Sequence, residues 1–264
     1  MGIQSSRRNI FKMGAIAVSA VLALAKTNPV AAEEEEPDCD RDDHRRHQCF
    51  LKGTSILTAT GARKVEDLAV GDLLPTVFGG VRSIQWIGRY PFKKADPAQA
   101  WVRDVLPVRV ARSAIAPDVP NSDLYVSKGH ALFIDGVLVP AGSLINGTTI
   151  TLYEARELDA LEFFHVKLEC HDVIYAEGSP CETLQDVDEN AVNFAEYLRK
   201  YGAPHTEQSP CAPLLSFNGG RSEIRSRFRS AISPWVDRRQ KLDIIRDRLE
   251  ERGIALLRQS EPVS

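Results

Sequence analysis

The chain has 264 residues, 43% of them hydrophobic and 26% charged, with a formal net charge of -3. That length suits one large β domain or two small ones, and the mild acidity excludes the concentrated basic surface that nucleic-acid backbones require. Five cysteines are an odd number, so at least one thiol stays unpaired if the protein works in an oxidising compartment.

Ser6-Arg7-Arg8-Asn9-Ile10-Phe11-Lys12 precedes an uncharged apolar stretch from Met13 to Ala25, and small residues lead to Ala32. A basic start, a short apolar run and a small-residue cut site are the three parts of an export signal. The apolar run is shorter than the about 20 residues that a bilayer span needs. The paired Arg7 and Arg8 resemble a twin-arginine signal. The resemblance implies residues 1–32 as the signal, export by the twin-arginine machinery, and a periplasmic or secreted product. Any membrane attachment would run only through an uncleaved signal. The alternative is a buried amphipathic first helix. Residues 33–48 are acidic and almost free of apolar side chains, so they read as a flexible tether. Cys39, His44, His47 and Cys49 invite a metal reading, but their spacing matches no closed zinc pattern. No metal or other cofactor is expected.

From Cys49 onward, short apolar runs alternate with Gly, Asp and Pro. The runs are 54–58, 64–68, 73–78 and 81–87, then 106–112, 124–127, 131–134, 137–139, 149–153, 163–168 and 173–176. Gly88 reads as the turn that closes the fourth of them. Asp135-Gly136 and Asn146-Gly147 suit tight turns, since both central positions tolerate positive φ. Many short strands without long helices between them predict an all-β domain, closed or sandwich-like, over residues 49–185. Beyond it, residues 186–264 read as a helical C-terminal extension, with helical spacing over 191–200 and 221–258. Ile224, Phe228, Ile232, Trp235, Leu242, Ile245 and Leu249 are its apolar positions, and Ser233-Pro234 marks a break.

Four blocks carry a resemblance. Cys49-Phe50-Leu51-Lys52-Gly53-Thr54 resembles the opening of a Hint domain, the self-processing fold of Hedgehog proteins and inteins. Gly61 to Asp72, ending Leu68-Ala69-Val70-Gly71-Asp72, is similar to the family's next signature. Val126-Ser127-Lys128-Gly129-His130 resembles its second block, with Thr or Ser three residues before His. Phe164 to Gly178, with His165 and His171, resembles the late block. The phrase Gly136-Val137-Leu138-Val139-Pro140-Ala141 is similar to one found in bacterial Hint-domain proteins. The resemblance implies a Hint-like β fold and an autocatalytic reaction at the Gln48–Cys49 bond.

The chemistry follows from residue types. A nucleophile on the C-terminal side of an amide converts hydrolysis into an acyl shift, and the thiolate is the reactive form. Cys49 would take the acyl group of Gln48 as a thioester. His130 is the candidate to protonate the departing amide nitrogen. Ser127 would hydrogen-bond around the scissile peptide, and His171 or His165 would assist proton transfer or polarise the carbonyl. Inteins carry an acidic residue near the position of His165. Splicing would need a His-Asn pair and a second junction, whereas the chain has Gly178-Ser179-Pro180-Cys181-Glu182 there. The expected sequel is therefore hydrolysis, or transfer to a small acyl acceptor. Each residue also has a plainer reading: Cys49 as a small buried apolar group, and the histidines as hydrogen-bonded structural groups. Cys170, Cys181 and Cys211 fit a disulfide or burial. The rival functions are a non-catalytic Hint-fold binding domain and an exported metal binder.

Overall fold

The structure, a computed structural model, describes residues 48–187, 189–203, 209–215 and 238–260. The predicted signal and most of the tether lie outside the described residues, with Arg7, Arg8, Ala32, Cys39, His44 and His47. So do Ile224, Phe228, Ile232 and Trp235 of the extension.

The described residues form β1 (Phe50–Leu51), β2 (Ser55–Thr58), β3 (Gly61–Lys64), β4 (Leu73–Thr76), β5 (Gly80–Lys93), β6 (Val108–Val110) and β7 (Leu124–Val126). They continue with β8 (Ala131–Ile134), β9 (Val137–Pro140), β10 (Ile150–Leu152), β11 (Ala160–Leu168), β12 (Val173–Ala176) and β13 (Ser179–Glu182). Among the described residues two helices follow, α1 (Phe194–Tyr201) and α2 (Arg238–Ser260). The strands join in the order β10-β6-β7-β1-β11-β5-β4-β12-β13-β8-β9, and β2 pairs with β12 and β3. This is the expected all-β, Hint-like fold with a helical C-terminal extension.

Local chemistry explains the elements. Asp135 and Gly136 take φ of 51° and 81° and join β8 to β9, a turn whose backbone matches the strand twist. Glu177 and Gly178 do the same between β12 and β13 with φ of 47° and 75°. The pattern reading passes over β13 because Pro180 sits inside it, and a proline normally argues against a strand. Residues 64–68, read as a strand, instead turn through a 3₁₀ segment at Val65–Asp67, which buries Val65. Gly71 takes φ of 100°, and the Asp72 carboxylate closes this turn by accepting from the Ala69 N–H at 2.8 Å and Arg63 at 2.7 Å.

Gly88 does not end a strand. β5 runs straight through it and pairs with β11 from Lys93–Ala160 to Ile84–Leu168. A Cβ at Gly88 would lie 2.6 Å and 2.8 Å from Trp86 ring atoms and 3.2 Å from the Tyr90 ring. The glycine is there so that these two side chains, two residues away on either side and on the same face, can close over the strand.

Beyond the short β4, the second edge of β5 is exposed to pairing, and the first part of the extension covers it. Asn193 donates to the Ile87 carbonyl at 2.8 Å and accepts from the Arg89 N–H at 3.1 Å, while Tyr201 donates to the Gln85 carbonyl at 2.9 Å. Covering an edge in this way removes a site for unwanted strand pairing. α1 also buries Tyr197 against Trp86, their rings 5.4 Å apart and edge to face. α2 presents Leu242, Ile245 and Leu249 to the main core, at one-face helical spacing. Arg248 pairs with Asp135 at 2.8 Å, and Lys241 donates to the Asp135 carbonyl at 2.8 Å.

Gly88→Ala should therefore destabilise the domain by about 1–3 kcal/mol, as overpacked cores do. Urea denaturation followed by tryptophan fluorescence measures it. A change below about 0.5 kcal/mol would show that the ring pair can part without cost.

Candidate functional site

β1 lies between β7 and β11, with Phe50 opposite Val126 on one side and Phe164 on the other. Two hydrogen bonds extend the first pairing back by one residue. Ser127 N–H donates to the Cys49 carbonyl at 2.9 Å, and Cys49 N–H donates to Ser127 Oγ at 2.9 Å. The second of these amides is the one joining Gln48 to Cys49. Its N–H bonds to the Ser127 side chain, while the Ser127 carbonyl accepts from the His130 N–H at 3.1 Å. The chain leaves β7 at that point and turns.

Continuing the β1–β11 register by the same step sets Cys49 opposite His165, on one face of the sheet. His165 in turn faces Gly88, and the Tyr90 ring meets the His165 ring edge on at 6.1 Å. Cys49, 1% exposed, is packed in the cluster that holds Leu51, Trp86, Tyr90 and Phe163. The row across the sheet is thus Ser127, Cys49, His165 and Gly88.

His130 occupies the other face. Its ring packs on Phe50 with centroids 4.3 Å apart, in full burial. Two backbone hydrogen bonds brace its turn: Ala141 N–H donates to the His130 carbonyl at 2.9 Å, and Gly142 N–H donates to Lys128 at 2.9 Å. The Val-Leu-Val-Pro-Ala phrase is therefore the brace of the histidine turn. Among the described residues, neither His130 ring nitrogen has a hydrogen-bond partner. Burial pushes the imidazole pKa down; the Glu182 charge and the Gln48 backbone act upward against it, and His171 adds to the lowering. His130 thus stands beside the Gln48 backbone as a desolvated, largely neutral base.

His171, 5% exposed, lies beside Glu182. Its Nε2 stands 3.5 Å from Glu182 Oε2, and the other carboxylate oxygen accepts from the Ala131 N–H at 2.7 Å. The sequence reading missed Glu182, because a carboxylate inside an unrecognised strand gives no periodic signal. Asp172 is a structural anchor. Fully buried, it pairs with Arg82 at 2.8 Å and accepts from the N–H groups of Phe78 and Val173. The structure therefore gathers Gln48, Cys49, Ser127 and His165 along one row and His130, His171 and Glu182 on the opposite side of β1. Cys170, Cys181 and Cys211 carry thiols, and burial pushes that of Cys211 up to about 12. Among the described residues, no group of three or more His, Cys, Asp or Glu is arranged to hold a metal ion.

A β fold that opens on a cysteine, with a serine-to-histidine turn gripping its amide, is of the Hint and intein class. The family model described as the Hint domain matches residues 48–188, and the chain belongs to that family. Solved structures similar to it include the intein-like domain from Clostridium thermocellum, at 15% identity and a TM-score of 0.36, over 52% of this chain and 99% of that one. The gp41-1 intein matches at 15% identity and 0.36, over 50% and 97%. An MchDnaB-1 intein matches at 16% and 0.34, over 52% and 99%. No curated protein matches the chain.

The depressed His130 pKa has a consequence for stability. In the unfolded chain the group binds a proton below about 6.5, whereas in the folded state it resists doing so. The stability it contributes is thus present above pH 6.5 and is lost as the pH falls from there toward the lower folded value. Thermal unfolding scanned from pH 7.5 to 5 should show the midpoint falling below pH 6.5, with a smaller slope in His130→Gln. Equal slopes in the two proteins would contradict the burial of a neutral imidazole.

Proposed function

We propose that the domain cuts its own chain at Gln48–Cys49 by an N-to-S acyl shift, followed by thioester hydrolysis or transfer to a small acceptor. The observation that carries this is the grip on one peptide bond. The Cys49 N–H is held by Ser127 Oγ at 2.9 Å, and the Gln48 backbone acts on the buried His130.

The steps use residues already described. His165, across the strand pair from Cys49, takes the thiol proton, and the thiolate attacks the Gln48 carbonyl carbon. A C–S bond forms and the carbonyl oxygen becomes an oxyanion. Collapse of that intermediate breaks the C–N bond, and the departing Cys49 nitrogen takes its proton from His130 in the imidazolium form, which burial makes scarce and the Glu182 charge favours; His130 is left neutral. Ser127 keeps that nitrogen in place throughout. Water or an outside nucleophile then takes the acyl group from sulfur. A thiol that is 1% exposed suits an attack on its own neighbour, which needs no entry path.

One-ended cutting fits the late block. Gly178 to Glu182 holds no His-Asn pair, and the strand there is paired on both sides, with β12 and β8. On this reading the residues before Cys49 are the cargo released. The twin-arginine resemblance at Arg7 and Arg8 suggests that release follows export, because that route carries folded proteins. Either cutting is slow before export, or the uncut signal holds the chain until the cut frees it.

Hydroxylamine or a small thiol added to the purified full chain should yield a fragment beginning at Cys49, read by intact mass. Cys49→Ala should yield none. His130→Ala should slow the cut by roughly 100-fold or more, and Ser127→Ala by roughly 2- to 10-fold, the worth of one hydrogen bond. Persistence of the full mass in the unaltered chain would leave only the non-catalytic Hint scaffold.

A further inference from the structure

The Hint match stops at residue 188, yet a segment well beyond it reaches the site. Residues 209–215 lie along β9, where Leu138 N–H donates to the Pro213 carbonyl at 2.9 Å and Leu215 N–H donates to Leu138 at 2.8 Å. A parallel bridge between Leu138 and Leu214 results, and Ala212 is buried with Ala131, Leu138 and Val173.

One contact goes further. Cys211 N–H donates to Nδ1 of His171 at 3.1 Å. A ring nitrogen that accepts from a backbone N–H carries no proton, so the proton of this imidazole sits on Nε2. Nε2 lies 3.5 Å from Glu182 Oε2, close enough to feel its charge but not hydrogen-bonded to it, and both side chains are 1% exposed. The partner oxygen, Oε1, takes the N–H of Ala131, the residue after His130. One carboxylate therefore lies beside the His171 ring and is hydrogen-bonded to the backbone of the His130 turn. Cys211 comes from the extension, Glu182 from β13 and Ala131 from β8, so three separate parts of the chain converge on one orientation.

We infer that the strap 209–215 is a working part of the processing site: its Cys211 N–H fixes His171 in the Nε2–H form facing Glu182, and Glu182 holds the His130 turn in register with it. Cys211, through its backbone, and Glu182 are positioning residues, since neither touches the scissile bond. The consequence for cutting rests on the acyl-shift reading, whereas the tautomer does not. The extension then supplies function to the domain as well as cover.

The test uses the full chain in two arms. In the first, Cys49→Ala labelled with ¹⁵N is examined by two-bond ¹H–¹⁵N correlation spectra. His171 should show a protonated Nε2 and a bare Nδ1, and that preference should be lost in Cys49→Ala/Cys211→Pro, which has no N–H at 211. A protonated Nδ1 in the Cys49→Ala chain overturns the inference, whatever becomes of the cutting. In the second, with Cys49 present, Glu182→Gln should slow thiol-dependent cutting by roughly 10- to 100-fold, with Glu182→Asp partly restoring it. A folded Glu182→Gln that cuts at the unaltered rate also overturns it. If the unaltered chain does not cut at all, the acyl-shift reading falls, and the first arm still decides the strap.

Discussion

The reciprocal pair of hydrogen bonds between Cys49 and Ser127 is the constraint on which the rest of the site depends. A junction peptide at the start of a domain would ordinarily have only one anchored side. Here the N–H and the carbonyl of the same residue are both tied to one partner, and β1 behind it is paired on both edges. Orienting a peptide in this way is done once, at folding, so no entropy remains to be lost when the thiol approaches. The arrangement needs Ser127 to do two things: its N–H continues the ladder, and its hydroxyl accepts from the Cys49 N–H where its carbonyl turns to the His130 N–H. A residue without a hydroxyl would leave a buried N–H unmatched.

That turn also decides which face each imidazole occupies. Cys49 and His165 follow the strand alternation to the face closed by Trp86 and Tyr90, whereas His130 is carried around to pack on Phe50. Two bases on opposite sides of one peptide can serve its two ends without competing for the same proton. The cost is a desolvated His130 that disfavours its own charge, and Glu182 is the group on the far side that offsets it. Burying a lone carboxylate in an apolar sheet would be prohibitive. Glu182 is tolerated because one oxygen accepts from the Ala131 N–H and the His171 imidazole lies 3.5 Å from the other.

Much of this fold was legible in the sequence, and the misses share a cause. β8 and β12 stand where their apolar runs lie, and the Asp135-Gly136 turn has the positive φ its residues suggest. Gly88 misled because a glycine that makes room for rings looks the same, in one dimension, as a glycine that turns the chain. β13 escaped because Pro180 outweighed its neighbours, although the strand tolerates it. Of the site, Cys49, Ser127 and His130 could be found because one turn holds the serine and histidine three residues apart. Glu182 and the Cys211 N–H could not, since one depends on a strand that the pattern hid and the other is a backbone group. A backbone donor has no letter in a sequence.

The same distinction bears on what the extension is for. Apolar spacing alone describes α2 well: Leu242, Ile245 and Leu249 cover core, and the helix needs no finer explanation. α1 needs slightly more, since Asn193 and Tyr201 reach carbonyls of β5 that no strand could claim. The strap at 209–215 is different in kind. Its packing and its pairing with Leu138 would be satisfied with Cys211 N–H facing solvent, yet the donor is aimed at a buried ring nitrogen. A cover becomes part of a site when it fixes something that the covered residues cannot fix for themselves. For His171 that is the choice of nitrogen: Glu182 can accept from a protonated Nε2, but only a donor at Nδ1 ensures that the proton is there.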